Sequence, residues 1–194
     1  MIETVLKQKN ASRGMRLTVK TLTALSVVIL AVGLPQLVHL IAGASGGVTW
    51  LPMYLPVLLG GCLLGARWGL LTGLASPVVS FLLTSLAGTP MPAATRLPFM
   101  ALELALMALL TGLFSGTVTK KPLTAFLAVP VALTGGRACF LLAVTLFQRV
   151  TPLTPATVAG QILAGLPGML VQVVLVPLAV IGIARLMKRE ADRD

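Results

Sequence analysis

One carboxylate, Glu103, stands alone between Glu3 and Glu190, inside the apolar run LPFMALELALMALL. Placing a carboxylate at lipid depth costs about 2.5–3.5 kcal/mol, so it faces a protein interior, a water-filled cavity or a charged partner. A guanidinium, Arg137, lies in a second apolar run, TGGRACFLL. It keeps its charge at any physiological pH and needs a partner of its own. On antiparallel helices the two neutralise each other, or they hold opposite ends of a polar solute. Gln172, in GMLVQVVLVP, adds an amide that binds solute or cross-links helices. Trp50, Met53 and Tyr54 open one apolar run, and Phe99 and Met100 open another. Such adaptable and aromatic groups either close around a flat apolar body or anchor a helix end.

Other chemistry has little to work with. The chain has no GK[ST] phosphate loop, no HExxH and no Ser/His/Asp constellation. A single histidine, His39, and five acidic residues leave almost nothing for acid–base catalysis. Cys62 and Cys139 are isolated thiols within apolar runs, which favours small packing residues over a disulfide or a metal site. The expectation is a non-catalytic chain without a metal or cofactor of its own.

The elements that must position these groups are membrane helices. Hydrophobic residues make up 57% of the chain and charged residues 10%, with a mean hydropathy of +0.99. A soluble domain carries about a quarter charged residues, so lipid is the main solvent. At about 20 residues per crossing, 194 residues accommodate six spans and no separate soluble domain. The spans are expected at 21–41, 48–66, 68–86, 97–118, 123–147 and 157–184. A basic segment at 1–20, lying on the membrane surface, precedes the membrane domain of 21–187, and a charged tail at 188–194 follows it. AGASGGVTW and AGTPMPAATR read as loops.

The net charge of +10 is not a nucleic-acid footprint, because the basic residues are scattered among span ends instead of grouped on one wet face. With both termini cytoplasmic, only Arg96 and Arg149 fall on the outer side and Arg137 within a span. Gly61, Gly65, Gly69 and Gly73 recur every fourth residue. Small residues at that spacing let helix backbones approach closely, here on two helices joined by a tight turn at GARWG.

The pattern LPMYLPVLLGG, LLGARWGLLTGLASPVVSFLLT, TPMP and LPFMALEL, followed by GLFSG and GLPGMLVQVVLVPL, resembles the substrate-binding S components of energy-coupling factor (ECF) vitamin transporters. The likeness covers roughly residues 20–185. It implies a six-helix S-component bundle in a prokaryotic plasma membrane that captures a vitamin-like micronutrient from outside. Its partners would be a membrane scaffold (T) subunit and two cytoplasmic ATPases, which alone use ATP. The resemblance further implies lids at 42–50 and 87–97, with Gly46, Gly47, Thr89, Pro90, Met91 and Pro92 as gating positions. It places the scaffold contact on Ala24 and Ala31 of the first helix. A stand-alone proton-coupled carrier or channel, or an assembly factor whose buried charges only set helix pairing, fits the same bare topology.

Overall fold

A computed structural model describes residues 1–8, 11–149 and 151–191. Lys9 and the last three tail residues, including Arg193, lie outside them. The described chain is 86% helix with no strand. Its helices are α1 (Ile2–Gln8), α2 (Arg13–Trp50), α3 (Tyr54–Leu64), α4 (Ala66–Leu86), α5 (Leu97–Leu113), α6 (Ser115–Lys120), α7 (Ala125–Phe147), α8 (Pro155–Ala164) and α9 (Leu166–Ala191). Five segments are long and apolar enough to cross a membrane: Arg13–Gly43, Ser45–Leu64, Ala66–Leu86, Pro122–Phe147 and Leu166–Met187. Helix α5 is apolar but has only 17 residues, and α6 follows it after the single residue Phe114.

The periphery is apolar. Leu25, Ile29, Leu40, Ile41, Leu86, Leu142 and Leu146 are all exposed, an arrangement that hydrocarbon solvates and water does not. Buried polar residues point the other way, into the bundle.

The centre of the bundle is the packing of α3 and α4 against α5, and glycines make it possible. A Cβ added at Gly61 would lie 2.0 Å from Thr111 Oγ1, and one at Gly73 2.5 Å from the Leu104 carbonyl oxygen. From the other side, a Cβ on Gly112 would meet the Ala66 backbone at 2.6 Å. The glycine ladder read from the sequence is therefore a backbone-to-backbone seam. Gly65 makes the turn between α3 and α4, with φ +84° that an L side chain rarely adopts. Helix α7 then packs on the opposite flank of α5, running antiparallel to it. A Cβ on Gly136 would touch Met107, Arg137 meets Glu103, and the Phe140 ring meets Phe99.

Four expectations change. The residues 13–20 belong to α2, and Met1 and Ile2 are buried in the core, so the amino-terminal segment is tucked against the bundle and not laid flat on a surface. The stretch 42–50 is helical except for one break at Gly43 (φ +66°, ψ −167°). At lipid depth an open Gly/Ser-rich loop would strand its amides, whereas a helix satisfies them. The expected span 157–184 is divided at Gly165 into α8 and α9. Finally, Ala31 is fully buried against the chain's own helices and Ala24 is half-buried, so Ala31 offers no surface to a scaffold.

Candidate functional site

Antiparallel packing of α5 and α7 brings Glu103 and Arg137 together. Arg137 Nη1 lies 3.2 Å from Glu103 Oε1, with both side chains buried (8% and 2% exposed). Tyr54, the first residue of α3, completes the group. Its ring lies beneath the guanidinium, whose carbon is 5.0 Å from the ring centroid, and its hydroxyl sits beside the Glu103 carboxylate. An aromatic face attracts a cation most strongly where water is excluded. Three elements thus converge on one charged pair.

The pair is not saturated. Arg137 Nε and Nη2 are buried without a hydrogen-bond partner among the described residues, whereas Glu103 Oε1 is the atom that faces Arg137 Nη1. A guanidinium carries five donors, and an orphaned buried polar atom costs about 1–3 kcal/mol. Tyr54, Glu103 and Arg137 help to line a partly open pocket of about 120 Å³, together with Gly47, Val48, Leu51, Arg96, Met100, Phe140 and Gln161. The lining carries two guanidiniums, one carboxylate, one phenol and one amide, surrounded by apolar walls. It can accept a small polar group that offers an acceptor to Arg137 and a donor to Glu103.

Of the residues predicted for the site, Tyr54, Glu103, Arg137 and Met100 line this cavity. Met53 is buried in the core beside them and does not line it. Gln172 is 2% exposed and is turned away to another task. Its amide nitrogen donates to the Leu51 carbonyl at 2.9 Å and to the Trp50 carbonyl at 3.3 Å. These are end-of-helix carbonyls that α2 itself cannot satisfy. The same bonds hold Leu51 in the left-handed region (φ 47°, ψ 52°), uncommon for a side chain of its size.

Two predicted contacts are displaced. Trp50 is 47% exposed and offers only its backbone carbonyl, because the reversal at Leu51 swings the indole outward. Phe99 packs edge-on against Phe140 and Phe147, with centroids 6.5 and 6.4 Å away. It lines a separate, largely apolar cleft of about 420 Å³ together with Pro98, Leu102 and Ala143. The sequence reading missed Arg96, Phe140 and Gln161. Arg96 reads as a loop charge, yet it immediately precedes α5 and so faces the same end of the cavity as Met100, four residues later.

The two expected lids differ. Gly47 and Val48 form cavity wall in a short helical segment bounded by two left-handed residues, Gly43 and Leu51. Gly47 packs on the His39 ring, and His39 Nδ1 lies 3.2 Å from the Pro35 carbonyl. The loop 87–96 is tied to α4 instead. The Met91 amide donates to Thr84 Oγ1 at 2.7 Å, and Ser80 Oγ donates to the Met91 carbonyl at 2.9 Å. Thr89, Pro90, Met91 and Pro92 line none of the cavity. No family model, curated protein or solved structure matches the chain.

Proposed function

We propose that this chain is the solute-binding membrane subunit, or S component, of an ATP-driven ECF importer. It spans a prokaryotic plasma membrane six times with both termini cytoplasmic, α5 and α6 together making the fourth crossing. It captures a vitamin-like micronutrient from outside and passes it inward with a T scaffold subunit and two ATPases. The chain catalyses nothing and holds no cofactor. The reading rests on the sequence resemblance and on one observation above all: the Tyr54–Glu103–Arg137 group, buried at the meeting of three helices, lines a pocket and leaves two Arg137 nitrogens without a hydrogen-bond partner among the described residues. A group built only to fasten helices gains nothing from unmet hydrogen bonds.

A cavity of about 120 Å³ is smaller than the roughly 300–1,000 Å³ of a typical ligand site. Admission of a solute therefore requires a wall to move. The segment between Gly43 and Leu51 suits that role, since rotation at two left-handed residues displaces Gly47 and Val48 together. The loop 87–96, fastened to Ser80 and Thr84, is the fixed rim.

The test is mass spectrometry of small molecules retained by the detergent-purified chain, run beside Glu103→Gln. One vitamin-like compound near one-to-one stoichiometry, lost in the variant, is the expected result. Retention in both proteins would leave Glu103 as a helix-pairing residue. Retention in neither, with solute uptake into liposomes lacking ATPases, would replace this reading with a proton-coupled carrier.

A further inference from the structure

A second polar cavity lies at the other end of the bundle, far along α2 from the first. It measures about 580 Å³ and is lined by Glu3, Arg13, Gly14, Arg16, Leu17, Lys20 and Trp68. Arg13, Arg16 and Lys20 fall at i, i+3 and i+7 of α2 and so share one face. Lys20 pairs with Glu3 of α1, which fixes that side of the cleft. Arg13 and Arg16 make no ion pair among the described residues, and Arg16 Nε is buried without a hydrogen-bond partner. Two guanidiniums thus line one open cleft beside Lys20.

We propose that this cleft binds the phosphate headgroup of an anionic membrane phospholipid. Guanidinium forks match phosphate oxygens in both charge and geometry. Three features favour a lipid over free phosphate. Trp68 lines the cleft at the start of α4, the depth at which an indole prefers the headgroup layer. Leu17 lines it as well, and Leu25 and Ile29 continue the exposed apolar surface of α2 away from the cleft, giving acyl chains a path. Three basic side chains facing one carboxylate leave an excess of positive charge, which repels the choline of a zwitterionic lipid and accepts phosphatidylglycerol. The bound lipid would hold α1, α2 and α4 together at this end, independently of whatever occupies the Glu103 cavity.

Native mass spectrometry of the full chain in detergent tests this, with phosphatidylglycerol, phosphatidylcholine and inorganic phosphate as separate titrants. One phosphatidylglycerol should bind about ten-fold or more tighter than phosphatidylcholine. Arg13→Gln with Arg16→Gln should abolish that preference, and Arg16→Lys, which keeps the charge but loses the fork, should reduce it in part. Arg149→Gln, an exposed cation elsewhere, should leave it unchanged. Equal binding of both lipids, or an equal loss with Arg149→Gln, overturns the site. Displacement of the lipid by millimolar inorganic phosphate would reassign it to a soluble phosphate. If the double variant does not purify as a single species, the lipid preference of the unaltered chain and the Arg16→Lys response decide the matter.

Discussion

The α3–α4–α5 seam and the Glu103–Arg137 centre are neighbours built on opposite terms. In the seam every polar group in the contact is satisfied locally. Thr72 donates to the Gly69 carbonyl at 2.9 Å, Ser76 to Thr72 at 2.7 Å, and Thr111 to Met107 at 3.1 Å. Glycines remove the space into which anything could move. At the centre, by contrast, two Arg137 nitrogens lack a hydrogen-bond partner among the described residues and a pocket adjoins the ion pair. Close packing without directional chemistry makes a frame, and a charged pair beside spare volume makes a candidate site. Helix α5 belongs to both, with Ala108 and Thr111 in the frame and Glu103 in the candidate site.

If that division is right, substitutions should separate stability from solute retention. Arg137→Leu is expected to act most strongly, because it strands the buried Glu103 carboxylate at a cost of about 3–5 kcal/mol. Adding Glu103→Gln should recover more than half of the loss in thermal unfolding, while retained solute stays absent. Gly73→Leu, which forces a side chain into the α5 backbone, should cost about 3 kcal/mol or more. Its effect should show as aggregation on size-exclusion chromatography, with bound solute falling only in step with folded protein. A Gly73→Leu chain that unfolds normally but no longer binds solute would erase the distinction.

Gln172→Leu tests a tie that belongs to neither region. Loss of its bonds to the Leu51 and Trp50 carbonyls should lower stability by about 1–2 kcal/mol. Faster hydrogen exchange should then appear over residues 44–51, with Glu103 still protected. Gly182→Ala is the smallest and of opposite sign. Nothing lies within 4 Å of a Cβ added there, so it should raise stability by about 0.5–1 kcal/mol and leave the solute untouched.

Much of the frame was legible because glycine spacing encodes a physical requirement directly. Gly61, Gly69 and Gly73 can serve close approach only if another backbone is present, and Gly65 marked the turn because the chain could not continue straight through a bilayer. Glu103 and Arg137 were legible for a similar reason, since isolated lipid-depth charges need each other or a ligand. Azimuth was not legible. Phe99 is four residues before Glu103 and shares its face by simple periodicity, yet Phe140 and Phe147 draw its ring to the neighbouring face. Trp50 was misplaced because a left-handed Leu51 gives no signal in the sequence: leucine is not a residue from which a positive φ is expected. The run AGASGG looked like a loop because glycine propensities describe water, whereas a lipid environment restores the helix.

The order of helices along the chain gives the seam a role in time. Helices α3, α4 and α5 are consecutive, joined by Gly65 and by the loop 87–96, so the frame can close as soon as α5 has emerged from synthesis. Arg137 lies 34 positions after Glu103 in the sequence. For that interval the carboxylate must enter the membrane with no cation beside it, sheltered only by neighbours already in place. The charged centre is then the last part of the bundle to be made, closed when α7 delivers the guanidinium and α9 brings Gln172 to the end of α2. A nascent chain stopped between the two charges would carry an intact frame around an uncompensated acid.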